Sequence, residues 1–144
     1  MFNKILVPVD GSEVSNKAID AARLLIKEGS AREVTILHVL QPSEVMPFNG
    51  LNMPVDYPQF YEELNKAAKR VLENAEQRMN LKEQTKIQLE YGPPAEIVCK
   101  AAEQEKYDLI IIGNRGLNRL QRVLMGSVSS KVVTLAPCPV LVIK

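Results

Sequence analysis

Apolar positions along the chain follow two rhythms. Five short stretches, Lys4 to Val9, Glu33 to Val39, Lys86 to Tyr91, Leu109 to Gly113 and Pro139 to Lys144, are nearly continuous or alternate every second residue, and they predict β-strands. Between them the apolar residues recur by threes and fours. A first helix is expected after Ser12, a good N-cap, with Ala18, Ala21, Ala22 and Leu25 on one face and an end near Gly29. A second is expected from about Gln59 to Met79, carrying Phe60, Leu64, Ala67, Ala68, Val71, Leu72, Ala75 and Met79. The third opens after Gly92-Pro93-Pro94 and buries Ile97, Val98, Ala101 and Ala102, because proline is tolerated in a first turn. The fourth starts around Ser127, which would cap it, and ends before Pro137.

Helices crossing between successive strands predict an α/β fold, an open five-stranded, Rossmann-like parallel sheet with helices on both faces. The runs Ile5-Leu6-Val7, Val34-Thr35-Ile36-Leu37 and Leu109 to Ile112 read as strands covered on both sides, whereas Ile87 to Tyr91 alternates and reads as an edge. The last strand, Pro139 to Ile143, carries no charge before Lys144. An uncovered apolar edge invites aggregation, so a second subunit is expected to cover it. The stretch Gln41 to Pro58, with prolines at 42, 47, 54 and 58, fits no element and reads as a long connection: a lid, a docking surface, or a mobile crossover with no ligand role.

Composition narrows the class. A chain of 144 residues suits one domain spanning residues 1–144, and 46% hydrophobic with 24% charged residues is ordinary for a globular protein. The net charge of +1 argues against nucleic acid or an anionic membrane as partner, while leaving a local basic cluster at Arg115, Arg119 and Arg122. No stretch has the length of a transmembrane helix, and Pro8 and Asp10 come too early for a signal peptide, so the cytoplasm is the expected compartment. Cys99 and Cys138 lack metal or redox spacing and read as small apolar residues.

The candidate chemistry lies where strands one and four end, since ligands of open α/β sheets bind beyond the carboxyl ends of the strands. Strand one runs into Pro8-Val9-Asp10-Gly11-Ser12. Strand four runs into Gly113-Asn-Arg-Gly116, then nine residues, then Gly126-Ser127. Backbone amides near Gly126, the Ser127 and Ser129 hydroxyls and the helix dipole together suit a phosphate. A Walker loop is absent, and a dinucleotide fingerprint would need more than Gly11 after strand one. Strand three ends in Tyr91-Gly92 rather than an acid, which excludes phosphoacceptor chemistry. His38 is the only histidine, which removes multi-histidine metal sites, paired-histidine nucleotidyl transfer and the usual triads; inside strand two it reads as a packed residue.

Taken together, Gly-x2-Gly-x9-Gly-Ser after Leu109-Ile-Ile-Ile, the Ile5 to Ser12 segment, Leu37-His-Val39, Gly92-x-Pro94 and Ala136 to Val142 resemble the nucleotide-binding branch of the universal stress protein family. The likeness spans the chain except Gln41 to Pro58. Asn114 stands where a serine is common, and its side chain can serve the same turn. The resemblance implies strand order 3-2-1-4-5, a homodimer through the C-terminal strands, and ATP or AMP between strands one and four. It implies that Asp10, next to Pro8 and Val9, meets the ribose and that the Val39 backbone meets adenine. Ile112 and Gly113 would line the ribose and α-phosphate region. Gly116, Gly126, Ser127, Val128 and Ser129 would hold the phosphates, with Mg²⁺ bridging them, and no protein side chain alone binding metal.

Three functions are compatible with these residues. The first is an adenine-nucleotide-binding regulatory protein of the stress response, read by a protein partner. The second is a slow ATPase in which Arg115, Arg119 or Arg122 stabilises the transferring phosphoryl group, although no base is placed to activate water. The third is a dimeric adaptor without an obligate nucleotide. Binding is favoured over catalysis.

Overall fold

The computed structural model describes residues 1–41, 57–115 and 125–144. Among these, strands β1 (Phe2–Pro8), β2 (Ala31–Leu40), β3 (Thr85–Tyr91), β4 (Leu109–Gly113) and β5 (Val140–Ile143) alternate with helices α1 (Glu13–Lys27), α2 (Tyr57–Met79), α3 (Pro94–Gln104) and α4 (Ser127–Leu135). The strands are parallel and ordered β3-β2-β1-β4-β5, the arrangement that the resemblance implied. A single turn of 3₁₀ helix, Lys82–Gln84, leads into β3 and was not foreseen from the apolar pattern.

Alternation along each strand divides the core in two. Ile5, Val7, Val34, Ile36, Leu109 and Ile111 point to the face covered by α1 and α2, with Ala18, Ile19, Ala22, Leu72, Ala75 and Met79 against them. Leu6, Leu37, Ile110 and Ile112 point to the opposite face, against Ala95, Val98, Ala101, Ala102 and Val132 of α3 and α4. All five residues of β4 are buried, which explains its unbroken apolar run. Each isoleucine taken fully out of water contributes about 1.5–3 kcal/mol, so these strands hold the sheet together. Ile97 is only half-buried and packs on Gly92, while Ala95 takes the core position.

The elements begin and end for local reasons. Ser12 caps α1 by accepting from the Ser15 amide at 3.2 Å, as its position foretold. The start of β1 is held by Asp108, whose carboxylate accepts from the amides of Asn3 at 2.8 Å and Lys4 at 3.0 Å. Arg78 grips Asp20 with two parallel bonds of 2.9 and 2.6 Å, tying α2 to α1. Tyr107 is buried below β2, its hydroxyl 2.8 Å from Thr35 Oγ1 and 3.0 Å from Glu105 Oε2. Burial pushes its phenol up to about 12.

β3 and β5 are the edges. On β3 only Leu89 joins the core; Ile87 and Tyr91 are exposed, and the Tyr91 hydroxyl bonds Asn65 Oδ1 of α2 at 2.6 Å. On β5 Leu141 is exposed, and Val133 and Leu135 on α4 are exposed as well. Cys99 and Cys138 are free thiols packed against the core between α3 and β5, and burial raises the pKa of each. No described helix is long and apolar enough to cross a membrane.

Candidate functional site

The carboxyl ends of β1, β2 and β4 open into a cavity of about 380 Å³ that is closed on one side by α2 and on the other by α3 and the start of α4. Its size lies within the usual range for small-molecule sites. Pro8, Val9, Asp10, Val39, Ile112, Gly113, Arg115, Gly126, Ser127, Val128 and Ser129 all border it. The residues singled out from two separate glycine-containing loops and one strand end thus meet in one place. Gly116, Arg119 and Arg122, and residues 42–56 of the long connection, lie outside the described residues.

The turn leaving β1 is built around Asp10 and Gly11. The Val9 amide continues the ladder to the Leu37 carbonyl at 2.8 Å, and the chain then turns away from the sheet. Asp10 Oδ1 accepts from the Ser12 amide at 2.9 Å, an Asx-type turn that steers the carboxylate toward the cavity mouth. Gly11 sits at φ +82°, a left-handed conformation that glycine adopts without steric cost.

Parity along β2 explains Val39. Leu37 directs its carbonyl toward β1, so Val39, two residues on, directs both its backbone N–H and C=O to the same side. β1 has ended by then. The Val39 peptide therefore faces cavity rather than a neighbouring strand, while Leu40 turns its carbonyl the other way, to the Gly92 amide at 2.9 Å.

Asn114 ties the glycine-rich segment at its base. Its amide donates to the Ile143 carbonyl at 2.7 Å, and its own carbonyl accepts from the Gly126 amide and from Ser129 Oγ, the latter at 2.8 Å. Two expectations are corrected here. The cap of α4 is Gly126, at φ −71° and ψ 165°, and makes no side-chain cap bond; Ser127 is the first helical residue and its side chain caps nothing. The Ser129 hydroxyl has its one hydrogen between the Asn114 and Gly126 carbonyls, at 2.8 and 3.1 Å, so it is an internal fastener rather than a free donor. The first intrahelical bond runs from the Ser130 amide to the Gly126 carbonyl at 3.0 Å. The amides of Ser127, Val128 and Ser129 precede it and point out of the helix start, where the dipole favours an anion.

Two glycines serve different ends. A Cβ on Gly113 would lie 2.6 Å from Val14 Cγ1 and 3.1 Å from the Val14 carbonyl carbon, so α1 can approach β4 only because that side chain is missing. A Cβ on Gly126 would meet nothing nearer than 3.4 Å among the described residues, and its φ suits any residue. Gly113 is thus explained by packing, whereas neither backbone conformation nor packing against the described residues requires glycine at 126.

Among the described residues, the charges at the cavity wall are Asp10 and Arg115. Arg115 carries a buried Nε that has no hydrogen-bond partner among the described residues. An orphaned buried donor on a cation costs about 1–3 kcal/mol or more, and a bound anion removes that cost. No cluster of three or more His, Cys, Asp or Glu side chains is arranged to hold a metal ion among the described residues. Sequence reasoning missed the α2 wall, formed by Leu64, Ala67, Ala68 and Val71, and the contribution of His38. The helical stripe of α2 held the signal, but periodicity does not tell core from cavity wall.

The sequence profile of the universal stress protein family matches residues 1–144. The chain belongs to the universal stress protein family. The universal stress protein YxiE of Bacillus subtilis is 38% identical, the match covering 100% of both chains. Among solved structures, MJ0577 of Methanocaldococcus jannaschii superposes with a TM-score of 0.83 at 32% identity, covering 100% of this chain and 96% of that one. The universal stress protein of Archaeoglobus fulgidus in complex with dAMP has the same fold, at a TM-score of 0.64 and 21% identity over 99% of this chain and 98% of that one. The family's parallel sheet in order 3-2-1-4-5 is the sheet described above.

Proposed function

We propose that residues 1–144 act as one nucleotide-binding domain, taking ATP or AMP in the cavity between β1 and β4, and that the protein works in the cytoplasm as a homodimeric regulator of the stress response. The observation that carries this reading is the buried Nε of Arg115, without a partner among the described residues, at the edge of a cavity where the first-turn amides of α4 also converge. These donors suit phosphate oxygens. The Val39 peptide, with a donor and an acceptor turned to the same side, suits the edge of adenine, and Asp10 suits a ribose hydroxyl. Gly113 and Ile112 line the cavity between them, and Gly116, outside the described residues, is assigned to the phosphates by the family resemblance alone. Mg²⁺ bridging the phosphates would supply charge neutralisation without a protein ligand set. The complex of the Archaeoglobus protein with dAMP agrees with a nucleotide of this class.

The exposed apolar side of β5, with Leu141 at 42% relative exposure, supports pairing of that edge with a second copy. Nucleotide binding is tested by thermal unfolding with ATP and Mg²⁺. At about 100 times Kd the ligand adds roughly 2.7 kcal/mol, which for a chain of this length is a rise of about 8 °C. A rise below about 2 °C at millimolar ATP would refute the site. Mass spectrometry of nucleotide released from the purified protein separates the functions: ATP or AMP agrees with a regulator, and ADP with slow hydrolysis.

A further inference from the structure

His38 stands on the α2 side of β2, in step with Val34 and Ile36, and is among the residues that line the same cavity. Its Nδ1 lies 2.7 Å from the Val9 carbonyl oxygen. A carbonyl can only accept, so Nδ1 carries the hydrogen, and in the neutral ring Nε2 is left with a lone pair. No other hydrogen bond of this ring is found among the described residues. The ring is half-buried, wedged by Val9 and unable to turn without breaking that bond.

The polar groups at the cavity divide by sign. Arg115, the first-turn amides of α4 and the Val39 N–H are donors and suit ligand oxygens. The acceptors at the β1 end are the Asp10 carboxylate, whose Oδ1 also holds the Ser12 amide, and the outer nitrogen of His38, a residue bonded through Nδ1 to Val9, which precedes Asp10. Two neighbouring acceptors match two neighbouring donors. On a nucleotide the vicinal hydroxyls of ribose supply them.

We propose that His38 is a ligand-binding residue whose Nε2 accepts a hydrogen bond from a ribose hydroxyl beside Asp10, in the tautomer that Val9 imposes. The proposal rests on the nucleotide reading of this cavity. It gives a role to the only histidine in the chain, which makes the test unambiguous. In the ¹⁵N-labelled protein, long-range ¹H–¹⁵N spectra of the neutral ring should show Nδ1 protonated and Nε2 with a lone pair, and ATP should shift the Nε2 resonance. His38→Asn keeps a donor toward Val9 and lacks the outer nitrogen. It should bind ATP about 3- to 10-fold more weakly, the range expected for one hydrogen bond, yet bind 2′,3′-dideoxy-ATP as the wild type does. An Nε2-protonated tautomer, or an equal loss for both nucleotides, overturns the role of His38 while leaving nucleotide binding standing. If the wild type binds neither nucleotide, the reading of the cavity fails and this proposal with it. Should His38→Asn fail to fold, the wild-type spectra with ATP and with its dideoxy analogue decide: a shift of equal size with both refutes the hydroxyl contact.

Discussion

Replacing Gly113 with alanine tests whether that glycine exists for packing. The added methyl carbon would sit 2.6 Å from Val14 Cγ1, about 1 Å inside a comfortable carbon–carbon contact. Rotating Val14 relieves only part of this, because its carbonyl carbon at 3.1 Å and its Cβ at 3.2 Å stay in place. The first turn of α1 must then move away from β4, a strand with every residue buried. Overpacking of this kind costs about 1–3 kcal/mol, and the upper half applies here because backbone atoms are involved. Replacing glycine restrains the unfolded chain and returns about 0.4–1 kcal/mol. The net loss is about 1–2.5 kcal/mol, or roughly 3–8 °C in Tm for a domain of this size. Thermal unfolding followed by circular dichroism measures it, with Val14→Ala added as a second change. That double variant should regain part of the loss, since it removes the nearest atom. If Gly113→Ala melts at or above the wild-type temperature, the packing account of this glycine is wrong.

At Gly126 the opposite result is expected. Gly126→Val should keep the fold, at a cost of about 1 kcal/mol for a poorer cap, because no described residue comes nearer than 3.4 Å to an added Cβ. It should lose ATP binding in calorimetry, because a branched side chain would fill the space where the backbone meets phosphate; unchanged affinity would remove the phosphate assignment. Asp10→Ala should weaken ATP by about 1–3 kcal/mol in the same assay, as for a lost charge-assisted hydrogen bond. Leu141→Pro should turn a dimer into monomers or aggregates in light scattering across a dilution series, and a wild-type monomer at micromolar concentration would rule out edge pairing. Tyr107 sets an alkaline limit. Because burial holds its folded pKa at about 12, above the unfolded value of about 10, its contribution is complete below pH 10 and is lost as the pH rises toward 12. Tyr107→Phe should flatten that decline in urea unfolding midpoints, and an unaltered slope would show that the phenol is not its cause.

Local pattern carried most of the architecture. The alternation of strand and helix rhythms defined every strand within three residues, and the near-continuous apolar runs marked β1, β2 and β4 as the inner strands. Ser12 announced the start of α1, because capping depends on residues only three apart. The loops after β1 and β4 were legible as candidate sites because a parallel sheet brings the carboxyl ends of its strands to one side.

What sequence could not decide involves partners distant in the chain. Gly113 reads like any ligand-loop glycine until α1 is seen pressing Val14 against it. Ser127 looks like a cap and Ser129 like a phosphate ligand, but Asn114, more than ten residues earlier, draws in the Gly126 amide and the Ser129 hydroxyl. His38 counted as a packed strand residue, and α2 as a core helix. Periodicity reports which residues leave water, and a residue can leave water against another side chain or against a cavity with the same spacing. Only the tertiary arrangement brought Val9 to Nδ1 of His38, and thereby decided which nitrogen of the single imidazole is left for a ligand.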